Sequence, residues 1–374
     1  MKIDHFAVEI WMNAYETRCR FNMAESCVDS ITLKDLLALA GKSNSILDEL
    51  LPLKMTYGAI EGTERLRSAI ASLYANTAAY NVLVTHGAAG ANALLYESLI
   101  ERGDEVVSIV PTYQQHISLP ESYGATVKQL RLREADGFAP DLDALAKLVT
   151  PQTKLIAMTN PNNPTGALMD ERTLAGVARI AAAHGAYVIC DEVYRGVNQD
   201  DDELTPSIVD LYAKGIAVGS MSKAFALAGL RLGWIVATRD LLDAVSIHRD
   251  YNTISVGMLD DHLAAIALEN SPALLKRNRA IVRTNLAILD AWVAREPLIS
   301  YVKPKGGTIT LLKYAVDMPS AEFCKRLIDE TGALLMPGSA LGMEGTVRIG
   351  FGNGTETLKA GLAEFSRFLA QFKR

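Results

Sequence analysis

The sequence predicts an α/β protein in two parts: a large domain with a mainly parallel sheet sandwiched by helices, and a smaller α+β domain. Three observations predict it. From about residue 60 to residue 240, short β-branched runs alternate with helical stretches, the pattern of a parallel sheet covered on both faces. After about residue 270 the pattern changes to a long amphipathic stretch, shorter strand-like runs and a closing helix. At 374 residues the chain also exceeds what one small core organises.

Residues 1–45 mix aromatic and polar positions and read as an arm with short helical pieces that contributes to the small domain. Residues 46–270 form the predicted large domain and 271–374 the small one. Strands are predicted at 81–85, 105–110, 127–132, 155–159, 187–190, 216–219 and 234–237, with helices such as 88–101 and 170–184 between them. Gly185 stands where a left-handed residue ends a helix. The stretch 272–295 and the region 356–372 are the predicted helices of the small domain. Ligands of parallel sheets bind at the carboxyl ends of strands, so polar residues there are the first candidates for chemistry.

Composition excludes several classes. With 37 Lys+Arg against 43 Asp+Glu the net charge is −6, which argues against a nucleic-acid partner. Cys19, Cys27, Cys190 and Cys324 form no CxxC pair and no metal spacing, so neither a disulfide framework nor a metal site is expected. No apolar run reaches membrane-spanning length. The opening residues carry Asp4 and Glu9 where a secretory leader is apolar. A cytoplasmic protein without a membrane partner is expected.

Four segments at predicted strand ends carry chemistry. In Gly219-Ser220-Met221-Ser222-Lys223, a lysine follows an apolar strand among hydroxyls and small residues, with Arg231 eight residues on. Burial and neighbouring cations depress a lysine's pKa and free the amine for Schiff-base formation, while Ser220, Ser222 and Arg231 are donors suited to a phosphate. A surface lysine capping a strand end explains that segment equally well. Asn160-Pro161-Asn162-Asn163-Pro164-Thr165-Gly166 reads as an immobilised turn. In Asp191-Glu192-Val193-Tyr194, a carboxylate at a buried strand mouth needs a partner, either a protonated ring nitrogen or the start of the next helix. Gly87, Ala88 and Ala89 open a helix with small residues and could present main-chain N–H groups to an anion, but their spacing is not the dinucleotide fingerprint. Arg348, on an apolar strand, requires an anion: an internal acid or a ligand carboxylate.

From Tyr57 to Arg348 these motifs, in this order, resemble the class I and II aminotransferase family, whose fold is fold type I and whose cofactor is pyridoxal 5′-phosphate. The resemblance implies that Lys223 carries the cofactor as a Schiff base and later moves the proton between substrate carbon and cofactor carbon. It implies that Asp191 pairs with the ring nitrogen, and that Asn163 and Tyr194 donate to the phenolic oxygen. Ser220, Ser222, Arg231 and the main chain of Gly87, Ala88 and Ala89 would hold the phosphate, with Tyr113 stacked on the ring. Tyr57 would reach the phosphate of a second subunit in a homodimer with shared sites. Arg348, beside Asn163, would grip the substrate α-carboxylate.

The implied reaction is ping-pong transfer of an amino group between an L-amino acid and a 2-oxo acid. Elimination of the carbon–sulfur lyase type and amino-acid oxidation use the same constellation and stay open. A transcription regulator built on this fold would need a DNA-binding domain, for which the arm leaves no room. A nucleotide-binding α/β protein would need a Gly-rich signature that the sequence lacks. For substrate choice, Arg249 and Lys54 are candidate basic partners, Trp11, Met12 and Tyr15 candidate linings of the pocket mouth, and Asn252 and Thr253 part of a candidate polar lid.

Overall fold

In the computed structural model, which describes residues 2–373, seven strands build one sheet. They are β1 (Val82–Thr85), β2 (Glu105–Val110), β3 (Thr126–Arg131), β4 (Thr153–Thr159), β5 (Tyr187–Asp191), β6 (Gly215–Ser220) and β7 (Gly233–Val236). Their spatial order is β1-β7-β6-β5-β4-β2-β3. All neighbours are parallel except those of β7, which runs antiparallel to β1 and β6. Each strand overlaps a predicted one; the widest gap is at β4, which starts at Thr153 where 155 was expected.

The apolar runs are continuous because alternate residues enter two different cores. Leu155, Ile189, Ile216, Val218 and Ile235 pack on one face against Ala91, Leu94 and Leu95. Ile156, Met158, Val188 and Cys190 pack on the other against Leu174, Val177 and Ala181. The helix supplying this second layer, Glu171–His184, starts on Asp170, whose carboxylate accepts from Thr173 N at 2.8 Å, and ends at Gly185 with φ 69°.

The C-terminal part holds a four-stranded antiparallel sheet in the order Met336–Pro337, Thr346–Gly350, Ile309–Tyr314, Ile299–Tyr301. Helices Ser271–Val293, Ser320–Thr331 and Thr355–Leu369 accompany it. Phe323 stacks on Tyr314 and meets Phe365 and Phe368 edge-on.

The arm begins with helix α1 (Ala7–Tyr15) and then pairs Phe21–Asn22 in parallel with Ala333–Leu334. It next crosses Gly350, whose N–H donates to Met23 O at 2.7 Å. A Cβ on Gly350 would stand 1.7 Å from Glu25 O, so only glycine admits this crossing. The crossing carries residues 24–27 over the carboxyl ends of the large sheet.

Candidate active site

Four parallel strands end beside one cavity of about 280 Å³. β5 ends at Asp191 and β6 at Ser220, with Ser222 and Lys223 beyond it; Asn163 follows β4 and Tyr113 follows β2. All line the cavity, as do Tyr194, Ala88, Ala89, Arg231 and Arg348. The helix behind β1, α2 (Gly87–Leu99), turns in through Gly87 at φ 69°, and Arg231 Nη2 lies 3.3 Å from where a Cβ on Gly87 would sit. Gly87 shapes the turn; Ala88 and Ala89 face the cavity.

In the turn after β4 the asparagines divide the work. Asn160 exchanges hydrogen bonds with the main chain of Met169, and Asn162 accepts from Thr165 Oγ1 at 2.7 Å while donating to Pro111 O. Asn163 is left facing the cavity, where its Oδ1 accepts from Arg348 Nη1 at 3.2 Å. Arg348 is only 3% exposed; its Nη2 donates to Ala24 O at 3.0 Å and its Nε has no partner among the described residues.

Asp191 is buried and held from three sides. Val193 N donates to its Oδ1 at 3.2 Å, Asn92 Nδ2 to its Oδ2 at 3.3 Å, and His116 Nε2 stands 3.7 Å away. His116 Nδ1 in turn meets Tyr96 Oη at 2.8 Å. Glu192 points the other way: its Oε1 accepts from Ser207 Oγ and Ile208 N, and burial pushes its carboxyl up to about 7 against the lowering effect of Arg195.

Lys223 Nζ donates to Ser26 Oγ at 2.8 Å, lies 3.4 Å from Cys27 Sγ and 4.0 Å from Glu25. About a quarter of its side chain stays open to the cavity. Glu25 is fixed by Ser26 N–H at 2.7 Å and Cys27 N–H at 3.0 Å. Burial works to lower the ammonium's pKa, but Cys27, Tyr194 and Glu25 outweigh it and hold it above the usual lysine value. Without cofactor the amine is therefore a proton-holding ammonium, opposite to the depression expected from the sequence. The expectation failed because the groups nearest the amine are acids, Cys27 and Glu25 from the arm and Tyr194 beyond β5.

The sequence profile of aminotransferase class I and II matches residues 52–365. The chain belongs to the class I and II aminotransferase family. Capreomycidine synthase from Streptomyces vinaceus is 31% identical over 370 residues, covering 98% of this chain and 94% of that one. A pyridoxal-phosphate-dependent aminotransferase from Streptococcus suis superposes with a TM-score of 0.97 at 42% identity, over the whole of both chains. The pyridoxal-phosphate-dependent cyclase OrfR superposes with a TM-score of 0.92 at 31% identity, over 100% of this chain and 99% of that one. The fold is fold type I and the enzyme is pyridoxal-phosphate dependent.

The family's cofactor fits the donor set of the cavity. At one end the N-terminus of α2, Ser220, Ser222 and the Arg231 guanidinium converge, a set that suits a phosphate dianion. Arg231 sits there in a left-handed conformation, φ 48°, a backbone strain tolerated at functional sites. At the floor Asp191 offers a buried carboxylate for a protonated ring nitrogen. Tyr113 also lines the cavity, its hydroxyl donating to Glu9 Oε1 at 3.0 Å.

Several expected residues lie elsewhere. Tyr57 is 74% exposed and outside the cavity of its own chain. Lys54 is exposed, and Arg249 is buried beside Glu61, Arg67 and Ser246, so neither lines the cavity. Asn252 and Thr253 form a turn outside it. Of the three arm residues, Met12 lines the cavity; Trp11 donates to Leu335 O and packs against Tyr15 with the rings tilted by 48°. Sequence reasoning missed Glu9, Glu16, Glu25, Ser26 and Cys27, which come from the arm, and Asn92 and His116, which flank Asp191.

Proposed function

We propose that the enzyme moves an amino group between an L-amino acid and a 2-oxo acid in two half-reactions at this one site. The observation that supports it is an amine, Lys223, and a buried guanidinium with an unpaired N–H, Arg348, lining one cavity together with Asp191. When bound, pyridoxal phosphate supplies an electron sink for negative charge at the substrate α-carbon. Arg348 seats the α-carboxylate through its free Nε and fixes the α-carbon near Lys223. Lys223 Nζ, in its neutral form, would take the α-proton and return it to the carbon on the far side of the imine nitrogen, steadied by Ser26 Oγ. Asp191 would keep a proton on the ring nitrogen, and Asn163 and Tyr194 would donate to the phenolic oxygen. The same groups run the return half with an oxo acid, giving ping-pong kinetics.

We also propose a homodimer. Leu47, Leu51, Met55 and Tyr57 are exposed, as are Ile247, Tyr251, Ile254 and Leu259. The two segments adjoin, since a Cβ on Gly58 would meet Met258 Cγ at 3.2 Å. A second copy would cover this apolar belt and receive Tyr57 at its phosphate end.

A second reading is elimination on the same constellation, or ring closure, which draws on the similarity to the cyclase OrfR over the whole chain. Products separate the two. Purified holoenzyme is mixed with a panel of amino acids, with oxo acid and ammonia measured. Oxo acid formed stoichiometrically without ammonia supports transamination; ammonia or a cyclised product overturns it.

A further inference from the structure

We infer that the side-chain subsite is built for an amino acid with a cationic side chain, whose charged head is held by Glu9 and Glu16. The inference rests on the α-carboxylate being seated at Arg348, as in the proposed reaction.

Charge matching in the cavity leads to it. Four carboxylates, Glu9, Glu16, Glu25 and Asp191, face three cations, Lys223, Arg231 and Arg348. The cofactor phosphate takes Arg231, the ring nitrogen takes Asp191, and the substrate carboxylate takes Arg348, whose buried Nε is otherwise unpaired. That leaves three carboxylates and only Lys223, which already has Glu25 as its near neighbour. Among the described residues neither Glu9 nor Glu16 takes part in a salt bridge. Tyr113 Oη occupies one oxygen of Glu9 and leaves the other for a ligand.

The shape of the arm agrees with a long cationic side chain. Val8, Glu9, Met12 and Glu16 all line the cavity, and their spacing of one, three and four residues places them on one face of α1 and its continuation Glu16–Arg18. Val8 and Met12 offer apolar contact for a methylene stem, and Glu9 and Glu16 line the same cavity as acceptors for an ammonium or guanidinium. The Glu16 carboxyl is raised by its partial burial and then by Glu25 and Glu9, so the three acids share one field. An acidic side chain entering this field would be repelled.

The test compares L-arginine, L-lysine, L-norleucine and L-aspartate on holoenzyme, wild type and Glu9→Gln/Glu16→Gln, following cofactor absorbance, oxo acid and ammonia. Wild type is expected to favour a basic substrate over norleucine by roughly tenfold in kcat/KM, with aspartate slowest. In the double variant that preference should fall by roughly tenfold. Norleucine or aspartate matching both basic substrates in the wild type overturns the inference. So does a double variant that slows all four equally, and Glu16→Gln alone repeats the test with the Tyr113 contact intact. Basic substrates consumed without oxo acid would retire transamination and keep the subsite. Oxo acid formed best from norleucine would do the reverse.

Discussion

Ser26 Oγ stands 2.8 Å from Lys223 Nζ, a contact from the arm to the amine proposed to move the proton. In Ser26→Ala the freed amine loses one charge-assisted contact, about 1.5 kcal/mol, so kcat should fall about tenfold. KM and cofactor absorbance should change little, because Arg348 and the phosphate donors are untouched. Single-turnover kinetics with α-deuterated substrate checks this: the isotope effect should grow, and an unchanged kcat would remove Ser26 from the mechanism.

Arg348 is buried with its guanidinium held by Ala24 O and Asn163 Oδ1, so its Nε is oriented before any substrate arrives. Arg348→Lys keeps the charge and loses the planar fork. Its kcat/KM should fall by the equivalent of about 2–5 kcal/mol, mostly through KM. A primary amine lacking the α-carboxylate should be slowed far less by the substitution, and equal losses for both substrates would point to a structural role instead.

The residues legible in the sequence are those whose chemistry sits at the end of an apolar run. Asp191 ends β5 and Lys223 lies three residues beyond β6, so strand prediction and residue type placed them together. Glu25, Ser26 and Cys27 were not legible, because Ser26 lies 197 residues from Lys223 and its approach depends on the crossing at Gly350. Nothing local marks it: Met23-Ala24-Glu25-Ser26-Cys27 falls in the stretch read as an arm with short helical pieces. The sign of the Lys223 shift was missed for the same reason, since it depends on which distant groups surround the amine. Asn92 and His116 were hidden because helix faces decide that they meet Asp191.

Glu192 gives the protein without cofactor a particular pH dependence. Its folded carboxyl is pushed up to about 7 by burial, above the ordinary value of 4.5. The folded state therefore holds a proton that the unfolded state has released between those values, and stability falls as pH rises from 4.5 through 7. The full effect is at most about 3 kcal/mol. Glu192→Gln keeps an acceptor for Ser207 and Ile208 and has nothing to ionise. Denaturant midpoints at pH 5 and pH 8 should converge in the variant relative to wild type. Parallel pH profiles would refute this reading.

Tyr57 projects from an apolar belt and away from its own cavity. If it completes a partner's phosphate site, Tyr57→Phe should weaken cofactor binding by about 1 kcal/mol, the value of one phenolic hydrogen bond, with the dimer intact. Mixing Tyr57→Phe with Lys223→Ala protomers adds a sharper measurement. Hybrid dimers would pair the only intact lysine with a wild-type Tyr57 from the other chain, and cofactor affinity at that site should return to the wild-type value. A monomer by sedimentation, or no recovery in the hybrids, would sink the shared site.

Gly350 offers the most direct way to separate the arm's contribution from that of the large sheet. A methyl group there would meet Glu25 O at 1.7 Å, a clash with main chain that no rotamer relieves. Either the arm segment lifts off the strand or the strand moves. Overpacking of this kind costs about 1–3 kcal/mol, a loss the fold can survive. The seven-stranded sheet should stay in place, so Asp191, Ser220, Ser222 and Arg231 should still take up cofactor. Displacing residues 24–27 would remove Ser26 from Lys223 and Ala24 O from Arg348 together. Gly350→Ala should therefore bind pyridoxal phosphate and show its absorbance while losing turnover by more than Ser26→Ala alone. Wild-type kinetics in that variant would mean that the crossing does not position the site.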